Sequence, residues 1–474
     1  MKRFAYRCRD SIVALVRILL YIALLFVLFG LLYINNSWVL AISRTSAVML
    51  LTFLFGSIAM SKIYGKYDVG KRKSKPIILS LSLSIVITDV ITFMMMVVMN
   101  TNNTTDNSLY PYFGVDILWV LLAMVIQIAV ITFFAYAGNA IYFSFTDPEK
   151  SLLIVEKEGD RPNFMHGVER YKKQYRVEKT ITIDDPALKD EICAAETIFI
   201  GELPDLELDG LLQYCYSRHK NIYRIMDING VMTRFSNVIV MHDEAMLASR
   251  VNSMTMGQRI LKRLGDIFIS GVGLILTSPV LLIAAIAIKL EDHGKVIFKQ
   301  NRVTINGRIF NIYKLRTMKE NSGQRMTVTG DDRVTKVGKV LRKFRIDELP
   351  QFVNVLKGEM SLVGPRAEML EHEYLYSEEL PEFIYRHRMK AGLTGYAQIH
   401  GRYNTSPRDK LMMDLVYIES FSIWNDLRIL FQTVMVFFTA DDSTEGFSAD
   451  TEEKHREQAK KIQAKVRHTD EQES

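Results

Sequence analysis

The chain has 474 residues, more than one hydrophobic core usually organises, so two or three domains are expected. With 49% hydrophobic and 24% charged residues it is neither disordered nor collagen-like, and the mixture suits membrane segments joined to a folded soluble part. Cys8, Cys193 and Cys215 form no CxxC pair, and the histidines show no zinc-ligand spacing with them, so neither a disulfide framework nor a structural zinc site is supported. The formal charge of +6 is small for this length, which makes its distribution more informative than its sum.

The first third reads as a membrane domain, 1-146. Uncharged runs from Ile18 to Ile34 and from Ile117 to Phe145 are long enough to cross a hydrocarbon core, which needs ~20 helical residues. Trp38 to Ser61 and Pro76 to Asn100 are similar but carry Arg44 and Asp89. The simplest account is a snorkelling arginine and an internally satisfied carboxylate, giving a bundle of four transmembrane helices. Lys2, Arg3, Arg7 and Arg9 precede the first helix, and Lys62, Lys66, Lys71, Arg72, Lys73 and Lys75 follow the second, whereas 100-114 has no Lys or Arg. Positive charge marks the cytoplasmic side, so both chain ends are expected there. No short apolar run with a small-residue cleavage site opens the chain, so the first helix is expected to be retained. The Asn-x-Ser/Thr triplets at Asn35, Asn102 and Asn103 arise easily by chance and carry no weight.

From 151 to 250, short apolar stretches (Leu152 to Val155, Thr197 to Ile200, Asn221 to Ile225, Val238 to Val240) alternate with polar, helix-compatible segments, as in a small Rossmann-like α/β domain. A dinucleotide site would need glycines after the first strand, but Val155 is followed by Glu-Lys-Glu-Gly-Asp. A structural or regulatory role therefore outweighs ligand binding.

Ile267 to Ile288 is another uncharged run, interrupted by Ser278-Pro279 and weakened by Gly271 and Gly273. A proline-kinked span and a re-entrant helix over 264-290 are equally compatible with this segment alone. Beyond it, Lys295 to Arg345 holds fourteen Lys or Arg against Glu320, Asp331 and Asp332, an excess of eleven. Membrane attachment favours acidic headgroups or a phosphorylated metabolite as the anionic partner, and few aromatics interleave, so no nucleic acid is expected.

Inside that basic stretch lie adjacent carboxylates, Asp347 and Glu348. Neighbouring residues cannot flank a sugar ring, which argues against glycoside hydrolysis. One carboxylate can instead attack phosphorus while the other helps hold Mg²⁺, with arginines offsetting charge on the phosphoryl oxygens. Taken alone, such a dipeptide is also a common surface pair.

The surrounding residues carry a resemblance. Lys262-Arg263-x-x-Asp266, Ser278-Pro279, Tyr313-Lys-Leu-Arg316-Thr-Met318, Arg342 with Asp347-Glu348-Leu-Pro-Gln351, Ser361-Leu-Val-Gly-Pro-Arg366, and Gly392-Leu-Thr-Gly395-x-x-Gln398-x-x-Gly401-Arg402 occur in order. Together they resemble the catalytic domain of the monotopic phosphoglycosyl transferases, placed here at 257-440. The layout of four helices, an α/β module and this domain is similar to the large subgroup that starts lipid-linked capsule or exopolysaccharide synthesis.

The resemblance implies a mainly helical α+β catalytic domain on the cytoplasmic face of the bacterial inner membrane. It implies transfer of sugar 1-phosphate from a UDP-sugar to polyprenyl (undecaprenyl) phosphate, releasing UMP through a phospho-sugar on Asp347. By likeness, Glu348 and Asp347 hold Mg²⁺, Arg342, Arg366 and Arg316 contact phosphate, and Ser278 and Pro279 break the re-entrant helix. Gly395, Gln398 and Arg402 are candidates for nucleotide contacts, although a plain turn cluster explains that segment as well. Two positions depart from the family pattern: Ala367 stands where a second proline is usual, and Phe344-Arg345-Ile346 replaces small hydroxyl residues before the acidic pair. A catalytically silent membrane scaffold that recruits polysaccharide enzymes is the rival reading. The tail, 441-474, is too polar to fold alone but has helix-compatible stretches. The sequence leaves the transferred sugar and a homodimer open.

Overall fold

The computed structural model describes residues 9-100, 113-157, 159, 162, 164-249, 254-319, 333-401 and 406-438. Arg402, the tail, the triplets at Asn102 and Asn103, and Lys2, Arg3 and Arg7 lie outside the described residues. The chain divides into two compact units, 1-225 and 226-474.

The first unit opens with helices α1 (Arg9–Asn35), α2 (Arg44–Tyr64), α3 (Ser74–Asn100) and α4 (Phe113–Phe145). Each holds a stretch long and apolar enough to cross a membrane. Leu20, Leu24, Leu28 and Leu32 recur every four residues on α1 and are almost fully buried, while Phe26, Phe55 and Phe133 face outward. Helix α2 starts later than the hydropathy suggests because the Ser43 hydroxyl accepts from Ser46 N and caps it there. Arg44 thus sits at a helix end, as expected. Asp116 ties the start of α4 to the end of α1 by accepting from Asn35 (2.7 Å) and Asn36 (2.8 Å).

Asp89 is fully buried inside the bundle, where it faces Gln127 of α4. Ser84, Thr88 and Thr92 give their hydroxyl protons to carbonyls one turn back on α3, and the Gln127 amide donates to Leu24 O.

The remainder of this unit is a sheet of β1 (Glu149–Val155), β2 (Tyr175–Thr182), β3 (Thr197–Ile200) and β4 (Asn221–Arg224), all parallel in the order β2-β1-β3-β4. Strand β1 is buried on both faces, as a parallel strand covered on two sides must be. Leu152 and Ile154 join Ile198, Ile200, Leu211 and Cys215 on one face, whereas Leu153 and Val155 meet Met165 and Phe199 on the other. Between the strands run α5 (Met165–Val168), α6 (Leu188–Ala194) and α7 (Asp205–Ser217). Strand β2 was not visible in the apolar pattern because it is an edge strand with a largely polar sequence, YRVEKTIT.

The second unit begins with α8 (Ile228–Phe235) and a hairpin of β5 (Asn237–Met241) and β6 (Glu244–Ala248), whose turn residues His242 and Asp243 both have positive φ. The expected strand at Val238 to Val240 is therefore present, but in this hairpin and not in the parallel sheet. Val231 of α8 packs in the core with Phe310, Val355, Leu362, Phe383 and Leu411. The long helix α9 (Met256–Asp292) follows, opened by a capping box of Thr255 and Gln258. Then come the hairpin β7 (Ile297–Val303) and β8 (Ile309–Leu315), α10 (Lys336–Lys343), a 3-10 turn (Ile346–Glu348) and α11 (Gln351–Lys357). Strands β9 (Ser361–Val363) and β10 (Gly392–Thr394) pair in parallel, enclosing α12 (Leu370–Glu379) and a 3-10 stretch (Pro381–Arg388). The helices α13 (Tyr396–His400), α14 (Pro407–Glu419) and α15 (Ile423–Phe438) complete the unit.

Candidate active site

Helix α10 ends at Lys343, and Arg345 adopts a left-handed conformation (φ 52°), a costly one for a residue with a side chain. That reversal starts the 3-10 turn carrying Asp347 and Glu348, closed by Glu348 N donating to Arg345 O (3.2 Å). Both carboxylates are partly buried. Glu348 is bonded to Lys314 on β8, with Nζ donating to Oε1 at 2.9 Å.

The two acids are driven apart. Burial, and then the neighbouring Glu348 charge, push the Asp347 carboxyl up to about 6, against the pull of Lys314 and Arg342. Burial acts the same way on Glu348, but Lys314, Arg366 and Arg345 outweigh it and hold that carboxyl at about 2. Near neutrality both are anionic, and Glu348 stays locked to its lysine while Asp347 has no comparable hold. Adjacent acids with separated pKa values suit separate roles.

The predicted arginines fall into two groups. Arg342 and Arg366 act on the acidic pair, Arg342 being aimed by Nε donating to Thr317 Oγ1 (2.8 Å). Arg316 instead packs against Gly294, where a Cβ would collide with its guanidinium. Arg366 sits at the end of a tightly folded turn. Gly364 N donates to Thr394 O (2.9 Å), Gly392 N donates to Pro365 O (2.8 Å), and a Cβ on Gly364, Gly392 or Gly395 would strike the facing backbone. The glycine spacing in 392-401 thus has a packing reason at Gly392 and Gly395. The Gln398 amide is turned inward, donating to Leu393 O (3.1 Å).

Several functional residues were missed by sequence reasoning. Lys314 lies within the quoted Tyr313-Lys-Leu-Arg316 motif and alternation on β8 was the signal available for it. Arg302 on β7 is buried, donating to Ala367 O (2.9 Å) and Gln300 Oε1 (2.8 Å); burial and Arg366 lower its pKa to about 10. Glu368 is also buried, yet Lys410, Arg386, Arg366 and Arg302 overcome the burial penalty and hold it at about 2. Nothing local in the sequence marks these groups, because they come from segments far apart in the chain.

Helix α9 underlies the site, and its two ends bind the same domain. At one end Arg263 donates to the last carbonyls of α11, Val355 O (2.6 Å) and Leu356 O (2.7 Å). Lys262 pairs with Asp426 and donates to Val363 O (3.0 Å), while Asp266 accepts from Leu362 N (3.0 Å). At the other end Glu291 accepts from Lys336 N (2.8 Å), and Ala284 and Ile288 pack on Leu315 and Leu341. Between them, Ile275, Leu276, Leu282 and Ile283 are exposed. Pro279 has no N–H for Ile275 O, and the Ser278 hydroxyl takes that place by donating to Ile275 O at 2.7 Å. The expected helix break at Ser278-Pro279 is therefore corrected: α9 runs through both residues, with the lost hydrogen bond replaced.

Among the described residues no group of three or more His, Cys, Asp or Glu is arranged to hold a metal ion. The donor set at the 3-10 turn is two carboxylates, the number that Mg²⁺ takes when water and substrate phosphate complete its shell.

An acidic pair among cationic side chains and a long apolar helix lie in one unit, and residues 257–440 match the family model described as bacterial sugar transferase. The chain belongs to that family. It is 40% identical over 250 residues to the UDP-N-acetylgalactosamine-undecaprenyl-phosphate N-acetylgalactosaminephosphotransferase of Aeromonas hydrophila, covering 51% of this chain and 58% of the relative. It is 43% identical over 190 residues to the UDP-glucose:undecaprenyl-phosphate glucose-1-phosphate transferase of Caulobacter vibrioides, covering 38% and 71%. With the exopolysaccharide production protein PSS of Rhizobium leguminosarum bv. phaseoli it shares 42% identity over 188 residues, covering 37% and 94%.

Proposed function

We propose that this protein transfers a sugar 1-phosphate from a UDP-sugar to polyprenyl (undecaprenyl) phosphate as the first step of capsule or exopolysaccharide synthesis. The observation that carries this reading is the Asp347-Glu348 pair on one 3-10 turn, with Glu348 bonded to Lys314 at 2.9 Å and Arg342, Arg345 and Arg366 acting on the pair. An Asp347 oxygen attacks the sugar-bearing phosphorus, the bond from that phosphorus to the bridging oxygen breaks, and UMP leaves with that oxygen. A polyprenyl phosphate oxygen then attacks the same phosphorus and releases the Asp347 carboxylate. One phosphoanhydride replaces another, so the demands on the site are alignment and charge compensation, not an external energy source.

Arg342 and Arg366 contact the phosphates, and Lys314 fixes Glu348. Asp347 and Glu348 would hold Mg²⁺, which when bound would neutralise charge on the phosphoryl oxygens. Gly395, Gln398 and Arg402 are assigned to the nucleotide side. Helices α1 to α4 span the bacterial inner membrane four times with both ends cytoplasmic, and the sheet of the first unit is a Rossmann-like module. Helix α9 keeps the domain on the cytoplasmic face: its ends share one folded domain, and its exposed apolar middle suits lipid.

The test is UMP release from a panel of UDP-glucose, UDP-galactose and their N-acetylated forms, by purified protein with polyprenyl phosphate. Release with one of them, lost in Asp347→Asn, is the expected result. No release from any would favour the scaffold reading, which the relatives' names and the separated acids disfavour.

A further inference from the structure

Bonded to the backbone of Arg366 lies a buried ion pair. Arg386 has a side-chain exposure of 2% and Asp414 of 1%, and Arg386 Nη2 stands 2.8 Å from Asp414 Oδ2. The same nitrogen donates to the main-chain oxygen of Arg366 at 2.7 Å. Glu373 Oε2 is 3.8 Å from Nη1, and the guanidinium lies over the Phe383 ring at 4.7 Å. Four segments, the 3-10 stretch 381-388, α12, α14 and the turn after β9, therefore meet at one guanidinium. Burying such a pair is weak as a source of stability, because desolvation offsets the attraction, whereas apolar residues would fill the space at less cost. What apolar residues could not supply is a donor for Arg366 O.

We propose that Arg386, held by Asp414, is a positioning residue: it fixes the backbone of Arg366 so that the Arg366 side chain meets a substrate phosphate. Arg386 is too buried to touch substrate itself. The assignment rests on the reading of Arg366 as a phosphate contact. One guanidinium nitrogen reaches both the Asp414 carboxylate and the Arg366 carbonyl, so the ion pair and the backbone contact stand or fall together. Displacing a charged contact by a fraction of an ångström to one ångström is costly when alignment supplies much of the rate.

The experiment uses the full chain in lipid nanodiscs. Arg386→Met/Asp414→Leu removes both charges with little change in volume, and Arg386→Lys keeps the charge in case the double variant misfolds. Two readouts are taken: amide hydrogen exchange of peptides covering 361-369 and 389-395, and UMP release in wild-type and Arg366→Gln backgrounds. Exchange at the Gly364 and Gly392 amides should rise about tenfold in the double variant, and by less in Arg386→Lys. UMP release should fall roughly 10- to 100-fold, and this loss should vanish when Arg366 is already Gln. Unchanged exchange in both variants, or a loss that multiplies fully onto Arg366→Gln, would overturn the proposal. If wild-type protein releases no UMP, the transferase reading fails, and the exchange measurement alone still decides whether Arg386 holds this turn.

Discussion

The molecule contains two parallel-strand arrangements that differ sharply in what their strand ends carry. The sheet β2-β1-β3-β4 is all parallel, an arrangement that often offers a ligand crevice at its strand ends, yet β1 runs into the charged residues Glu156 and Lys157, with a glycine only at 159. The small pair β9–β10 is far less regular as a fold element, yet it ends on Arg366, with Arg302, Glu368 and Arg386 around it. Chemistry here follows buried and opposed charge, not the most familiar architecture.

The sharpest way to break that contrast is Asp347→Asn, which keeps size but removes the anionic nucleophile. UMP release should fall by about 1,000-fold or more, measured by a coupled nucleotide assay. Lys314→Met removes the cation bonded to Glu348 and should cost roughly 10- to 100-fold. Lys314 also lowers the Asp347 pKa, so its loss raises that value further.

The pH profile sharpens the comparison. Wild-type activity should fall as pH drops through about 6, where Asp347 gains its proton, and in Lys314→Met this acid limb should move to higher pH. The stability effect has the opposite sense. Because the folded chain holds the Asp347 proton more tightly than an unfolded one, ionising it costs stability as pH rises from 3.8 through about 6. At neutral pH, Asp347→Asn should therefore be more stable than wild type by on the order of 2 kcal/mol, read as a higher Tm. The smallest effect belongs to the other region: Glu156→Gln and Asp185→Asn, at the carboxyl ends of β1 and β2, should leave UMP release within about twofold.

Much of this could be read in the chain before folding. Long apolar runs reveal α1 to α4 and α9 because a helix in lipid needs apolar length, and the acidic pair stands out because carboxylates are rare in so basic a stretch. Strand β2 escaped notice because an edge strand need not be apolar, and α8 gave no sign that Val231 packs beside Phe383. Arg302, Glu368, Arg386 and Asp414 were equally silent. Each looks like an ordinary surface charge until the fold places it beside its partners, and only burial turns those charges into a device.

The central claim is tested most directly by incubating the full chain with a radiolabelled UDP-sugar, without lipid acceptor, and mapping label by peptide mass spectrometry. The account predicts a sugar-phosphate on Asp347, absent in Asp347→Asn and discharged when polyprenyl phosphate is added. UMP release with no adduct on rapid quenching, or an adduct that persists in Asp347→Asn, would contradict it.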